Sequence, residues 1–431
     1  MIIQPSSLQS KYDIVLAGGG MVGGSFALLL MHLLQDTRLR VLVLDAVPVA
    51  TDSAVTADFD ARSTALSWSS RLIYEQMQLW PALADKATEI RDIHVSDRGQ
   101  FGATRLHRDE LGVEALGYVI ENHDLGRVID RALVQHPALE VCAPAQVTRA
   151  DHTPDGMRLT VQPGGRGKNG SPDADEAPLV IDTALLVLAD GGRSGLCQQL
   201  GIAMQRREYG QQALICNIGF DQPHQGWAFE RFTDTGPLAI LPLADDAPRS
   251  HRGALIWTHP HDQAGAFFDL PDDAFLAALQ QRFGYRLGQL TRAGARSLFP
   301  LSLVCAREQI RPGLVLLGNV AHTLHPVAGQ GMNLALRDAR ALAELLARTA
   351  RQQPAALGSY AMLEQYLAAQ QGDQGRTILF SDVTTRLFSN RQPALVAGRT
   401  AGLLMMDLVT PARRWFSRQA MGMADRQSLR L

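Results

Sequence analysis

Tyr12-Asp-Ile-Val-Leu-Ala-Gly-Gly-Gly-Met-Val-Gly-Gly24 is the stretch that decides the fold. The apolar run over residues 12–17 reads as a buried strand, the glycines break it, and the apolar residues from 21 to about 35 read as the helix that follows. A second strand over residues 40–44 ends in Asp45, 22 residues beyond Gly23. Strand, glycine turn, helix, strand and acidic residue in this order form the fingerprint of a dinucleotide-binding βαβ unit. Gly18 makes the tight turn, Gly20 lets a pyrophosphate approach, and Gly23 lets the helix pack close on the strand. Met21 and Val22 open the helix, whose unpaired N–H groups favour phosphate. Asp45, followed by Ala46, can accept hydrogen bonds from an adenosine ribose. FAD and NAD share this pattern, which by itself does not choose between them.

Farther along, Leu314-Val-Leu-Leu-Gly-Asn-Val-Ala-His-Thr-Leu-His-Pro-Val-Ala-Gly-Gln-Gly-Met-Asn333 reads as another buried strand that stops at Gly318 and delivers Asn319 to its carboxyl end. Open α/β sheets bind ligands there. Gly329 and Gly331 bracket Gln330 after His325-Pro326, so the backbone can come close to a flat ligand without Cβ atoms in the way. A helix is predicted to start near Met332-Asn333 and to favour negative charge at that end. The two stretches together suggest the adenosine and the isoalloxazine ends of one FAD.

The whole-chain numbers are compatible with this reading. The chain has 431 residues, enough for two or three domains, and a net charge of −2, which argues against nucleic acid as a partner. Cys142, Cys197, Cys216 and Cys305 lack metal-ligand spacing, so no metal site is expected, and reduced thiols fit a cytoplasmic protein. No secretory leader is read at the N-terminus, and no apolar run reaches the ~20 residues that span a bilayer.

Residues 58–66 are predicted to open a helix; within it Arg62, followed by Ser63, can neutralise phosphate or pair with Asp58 or Asp60. Asn122 and Arg127 stand near the start of a helix running to about residue 135. Residues 164–177 read as the tip of a hairpin between strands 157–161 and 179–181. A separate strand over 185–189 ends in Asp190-Gly191, a cofactor contact or an N-cap. Strands over 213–220, 227–233, 237–243 and 254–259, with a helix at 272–283, form a separate antiparallel sheet. On it Phe229, Arg231, Leu241, Pro242 and Trp257 are the expected substrate wall, core packing being the alternative for the apolar ones. The fold class is therefore α/β, with a Rossmann-type FAD-binding domain, a second antiparallel-sheet domain and C-terminal helices. The expected division is 1–77, 115–200 and 302–350 for FAD, 78–114 and 201–301 for substrate, and 351–431 as a helical region. Its basic and aromatic run Arg413-Arg414-Trp415-Phe416 suits a membrane surface, a partner protein, or docking on the body.

Several segments carry a resemblance: Gly18 to Gly23, Phe59-Asp-Ala-Arg62, His94-Val-Ser-Asp-Arg-Gly99, Ala228-Phe-Glu-Arg-Phe-Thr233, Gly236-Pro-Leu238, Leu324-His-Pro326 with Gly329-Gln-Gly331, and Thr410-Pro-Ala-Arg413. The chain resembles the single-component FAD-dependent aromatic hydroxylases with the fold of para-hydroxybenzoate hydroxylase. Within them it is most similar to the ubiquinone-biosynthesis hydroxylases that act on 2-polyprenyl-6-methoxyphenol. The resemblance implies that NAD(P)H, bound transiently, reduces FAD, that O2 adds at flavin C4a, and that the hydroperoxide passes an oxygen to a polyprenyl phenol. It implies cofactor contacts from Arg62, Ser63, Asn122, Arg127, Asp190, Gly191, Asn319, Pro326, Gly329, Gly331, Met332 and Asn333, with His325 and Pro326 near the ring and no side chain as a necessary catalyst. Asn319 stands where relatives often carry Asp, so it adds no charge. The resemblance also leaves room for a ubiquinone-biosynthesis complex, a homo-oligomer and peripheral contact with the inner membrane. The alternatives are hydroxylation at another ring position, another flavin oxidoreductase on this scaffold, and a flavin-bearing lipid-binding or scaffold subunit.

Overall fold

A computed structural model describes residues 1–34, 39–49, 61–98, 103–164, 177–247, 250–324, 329–388, 402, 405 and 407–422. Its eight-stranded sheet is built around parallel strands. Lys11–Ala17 lies between Val41–Leu44 and Leu179–Leu188, with Leu139–Cys142 beyond the first neighbour and Leu314–Leu316 beyond the second. Leu16 stands opposite Val43 on one side and Val187 on the other. Val41–Leu44 and Leu314–Leu316 are apolar throughout, and Lys11–Ala17 and Leu179–Leu188 become so toward their carboxyl ends, because both faces are covered there. Ile14, Leu16, Val43, Val187 and Val315 face the helices Met21–Leu33 and Gln330–Gln352; Val15, Leu42, Leu186 and Leu316 face the hairpin strands 145–163. The two stretches predicted at 179–181 and 185–189 are one continuous strand, Leu179–Leu188, which enters as the hairpin partner of Gly156–Pro163 and leaves as a parallel core strand. The hairpin tip 165–176 lies outside the described residues.

The second sheet has nine strands and is mainly antiparallel: His322–Thr323, Ser297–Ala306, Met204–Phe220, Ser250–Pro260, Pro237–Ala247, Trp227–Phe232, Asp92–Asp97 and Ala103–His107 in spatial order. Leu290–Ala293 pairs on Met204–Phe220. One face carries Leu214, Ile218, Leu238, Ile240, Leu255 and Trp257, packed on Phe275, Leu279 and Phe283 of the helix Asp272–Phe283. The opposite face carries Ala228, Leu241, Leu243 and Ala254, packed with Ile90, Leu116 and Val119.

A three-stranded sheet, Ser63–Ser67, Gly117–Glu121 and Ala87–Ile90, accounts for the main secondary-structure correction. No helix opens over residues 61–66; Ser63–Ser67 is a strand paired antiparallel with Gly117–Glu121, and residues 58–60 lie outside the described residues. The helix starts at Trp68, where the Ser67 hydroxyl accepts the Ser70 N–H at 3.3 Å. Ser63 and Thr64 look like caps locally, but their backbone groups find partners on a strand more than fifty residues away. Tyr360–Phe388 and Thr410–Ala420 are the helices of the C-terminal region.

Candidate cofactor and substrate site

Each glycine of the fingerprint meets a different constraint. Gly18 has φ +107°, and a Cβ there would lie 2.6 Å from the Ala189 carbonyl carbon. A Cβ on Gly23 would lie 1.9 Å from the Gly18 carbonyl oxygen, so the helix can sit this close only without a side chain. A Cβ on Gly20 meets nothing within 4 Å, because it would project into a groove of about 580 Å³. That groove is lined by Gly18, Gly20, Met21, Val22, Asp45, Ala46, Asp190, Gly191, Asn319 and Met332, ten of the residues expected to contact cofactor.

The two carboxylates at strand ends shape this groove through the backbone. Asp45 accepts the Gly19 N–H at 2.6 Å and the Val47 N–H at 2.7 Å, one on each oxygen. Asp190 likewise accepts from Gly192 at 2.9 Å and Ser194 at 2.7 Å. Each oxygen keeps a second lone pair for a ribose or a water. The helix Asn122–Gln135 gives the groove Gly126, Ile129, Asp130 and Leu133. Asn122 and Arg127, predicted from the same helix, line neither cavity: Asn122 accepts from the Thr64 hydroxyl at 2.6 Å, and Arg127 pairs with Asp124 at 2.9 Å. Glu121, His123 and Asp124 bring one potential ligand atom each within 4.8 Å of one another, but Glu121 is paired with Arg252 at 2.7 Å and Asp124 with Arg127.

A second cavity, of about 430 Å³, adjoins the groove at Met332, which lines both. Gly329 caps the helix Gln330–Gln352 in the left-handed region (φ +60°), and a Cβ on Gly331 would meet nothing within 4 Å. The helix begins three residues before Asn333 and presents its first-turn N–H groups to the loop, a setting that favours negative charge. Arg62, Ser63 and Asn333 line this second cavity. Arg62 stacks over Phe299 with 5.8 Å from guanidinium to ring centre. His325, Pro326 and Asp58 lie outside the described residues.

Asn333 is fully occupied. Its amide donates to the carbonyls of Ala65 at 3.0 Å and Gly329 at 2.7 Å, while its oxygen accepts the Ser67 N–H at 2.8 Å and the Ser70 hydroxyl at 2.7 Å. Four bonds exhaust what an asparagine side chain can make in this geometry. Asn333 therefore acts on the loop and the strand Ser63–Ser67, tying them together.

Of the expected substrate wall, Leu241 lines the second cavity, and Phe229 borders it while its ring packs on Phe283 of the helix-covered face, 5.4 Å between ring centres; Arg231, Pro242 and Trp257 do not line it. Trp257 is fully buried on the helix-covered face and donates to the Thr235 hydroxyl at 3.2 Å. Its neighbours Ile256 and Thr258 face the cavity instead. Side chains alternate along a strand, so choosing the wrong face displaces the choice by one residue. Thr64, Ala65, Leu66 and Ser67 also line the cavity and were not expected there.

A model of the FAD binding domain family matches residues 11–371. The chain belongs to that family. It is similar to the ubiquinone hydroxylase UbiL of Rhodospirillum rubrum, 32% identical, with 95% of this chain and 89% of the relative covered. The 3-demethoxyubiquinol 3-hydroxylase of Escherichia coli is 28% identical over 95% of this chain and 98% of its own length. Among solved structures, p-nitrophenol 4-monooxygenase from Pseudomonas putida superposes with a TM-score of 0.73 at 17% identity, covering 97% of this chain and all of that one, and so shares the fold. The chain is an FAD-dependent aromatic hydroxylase by family and by these relatives.

The residues present fit FAD. The empty Cβ directions at Gly20 and Gly331 lie at two cavities joined at Met332, as a long bent cofactor requires. Gly20, Met21 and Val22 would hold its pyrophosphate, Asp45 its ribose, and the backbone at 329–332 its ring. When bound, FAD supplies hydride acceptance and activation of O2. The helix start at Gln330 would stabilise negative charge on the ring, and the apolar wall of the cavity would exclude water, which strengthens electrostatic contacts.

Proposed function

We propose that the chain hydroxylates the aromatic ring of a polyprenyl phenol, 2-polyprenyl-6-methoxyphenol, in ubiquinone biosynthesis, with NAD(P)H as transient electron donor and O2 as co-substrate. The observation that carries this reading is the second cavity: apolar along Ile93, Val95, Phe232, Ala239 and Ile256, and continuous with the backbone that would hold the flavin ring. The relatives' names support the pathway. The E. coli relative is named for hydroxylation at a 3-position, so a different ring carbon is the second reading. The expected result with the FAD-loaded protein is NAD(P)H oxidation, stimulated by a short-chain 2-prenyl-6-methoxyphenol, with one added oxygen in the product by mass spectrometry. Oxidation without oxygenated product would overturn it. Product only from a demethoxyquinol would move the assignment to the second reading.

We also propose that the prenyl chain is received at a bilayer surface. Phe380, Thr384 and Phe416 line the cavity, and on the same two helices Leu379, Val383, Arg414, Trp415 and Arg418 are exposed. Leu408 just upstream is 80% exposed. Exposed apolar and basic side chains on adjoining helices suit an anionic membrane. No helix among the described residues is long and apolar enough to cross one. Flotation with vesicles containing phosphatidylglycerol is expected to carry the protein up. Leu408→Glu combined with Trp415→Glu should reduce that binding at least tenfold while leaving turnover of a detergent-free, short-chain phenol unchanged. Equal flotation of the double variant would refute the surface.

A further inference from the structure

One row across the nine-stranded sheet forms the wall of the second cavity. Val95 pairs with Glu230, Glu230 with Ala239, Ala239 with Ile256, Ile256 with Ile215, and Ile215 with Ser297. All six line the cavity. Five are apolar or small. The sixth is a carboxylic acid.

Glu230 is out of place there by ordinary energetics, because burying an unpaired carboxylate is expensive. Among the described residues, no hydrogen bond or ion pair engages its carboxyl. Its side chain is half-buried, open only to the cavity, and desolvation there pushes its pKa up to about 7. The titratable side chain facing the same cavity from another element is Arg62, stacked on Phe299; Cys216 borders the cavity but packs its side chain on the helix-covered face with Leu214 and Leu255. The strands Asp92–Asp97, Pro237–Ala247 and Ser250–Pro260 and the three helices that close the cavity add none to its lining. A carboxyl kept unpaired in an apolar cavity needs a donor that arrives with the ligand.

We infer that Glu230 is a catalytic residue of the hydroxylation proposed above: its carboxylate accepts the hydrogen bond of the substrate's phenolic hydroxyl and takes that proton as the ring is oxygenated. The inference rests on that reading of the reaction. In the step, the substrate O–H bond breaks, an O–H bond to the carboxylate forms, and the bonding pair stays on the substrate oxygen. No electron enters or leaves. The ring carbons ortho and para to that oxygen become richer in electrons, which is what an electrophilic oxygen donor needs. A base titrating near neutrality is suited to this task. The carboxylate form accepts and cannot donate, so it also selects a hydroxyl over a methyl ether at this point of the ring.

The test uses FAD-loaded protein with a short-chain 2-prenyl-6-methoxyphenol and the methyl ether of its hydroxyl. At pH 8.5, equilibrium dialysis should show the wild type binding the phenol roughly tenfold or more tighter than the ether, the range for a hydrogen bond to a charged group. Glu230→Leu should bind both alike. The wild-type preference should fall as pH drops through about 7, where the carboxylate is protonated, and Glu230→Gln should show no such pH dependence. Turnover by Glu230→Gln should fall on the order of a hundredfold. Flavin content and melting temperature of both variants serve as the folding control. If Glu230→Leu keeps the preference for the phenol, the inference fails while the proposed reaction stands. If the wild type neither binds nor oxygenates any phenol, both fail.

Discussion

Gly20→Val is expected to yield a folded protein that purifies without flavin. The Gly20 backbone is extended, at φ −60° and ψ −170°, which a β-branched residue adopts freely, and its Cβ would meet no protein atom within 4 Å. The space that the valine fills is the groove where a pyrophosphate must reach the first-turn N–H groups. FAD affinity should drop by at least a hundredfold, about 2.8 kcal/mol. Absorbance near 450 nm relative to 280 nm measures this directly, and the melting temperature of the apoprotein should stay at the wild-type apo value. Gly23→Ala supplies the contrast. Its Cβ would stand 1.9 Å from a backbone oxygen that cannot swing away, so this smaller substitution should lower stability by about 3 kcal/mol. Full flavin occupancy in Gly20→Val would remove the fingerprint as the pyrophosphate site.

The second large effect is expected at Asn333. Replacing it by leucine keeps the volume but strands four groups: the Ser67 N–H, the Ser70 hydroxyl and the carbonyls of Ala65 and Gly329. Asn333 is 2% exposed, so water cannot replace them without rearrangement. Each buried group left unpaired costs roughly 1–3 kcal/mol, and a total loss on the order of 3 kcal/mol is expected after partial relaxation. Ser70→Ala removes only one of the four bonds and should lose about 1 kcal/mol. Thermal melts of the two apoproteins check the ordering. Because Asn333 also holds the Gly329 carbonyl, the leucine variant should bind FAD more weakly even below its melting transition. A variant that melts like wild type would show that the loop and the strand Ser63–Ser67 are held by something other than this amide.

The βαβ unit was legible because its signals are local. Gly18, Gly20 and Gly23 sit within six residues of chain, and the steric demand at Gly18 and Gly23 comes from neighbours in the same unit or on the adjacent strand. The strand Leu314–Leu316 and the turn at Gly318, with φ +75°, were equally readable from four apolar residues and a glycine. Local signals also misled. Ser63 and Thr64 resemble a helix start, but the strand they form depends on Gly117–Glu121, which no nearby residue announces. Among the proposed contacts, Asn122 and Arg127 have the right chemistry for a phosphate or a ribityl chain, and the structure gives both to intramolecular partners.

By itself the amino-acid sequence determined the class of fold, the glycine turn, the acidic strand ends and the apolar strands, since backbone freedom and hydrophobic period act over a few residues. Only the tertiary structure decided which side of the second sheet faces the cavity. Both faces of Ser250–Pro260 and Pro237–Ala247 are apolar, one against helices and one against a cavity, so alternation cannot say whether Trp257 or Ile256 looks inward. The same limit hid Glu230: its charge is plain in the sequence, but its solitude depends on five strands brought alongside it by long-range pairing.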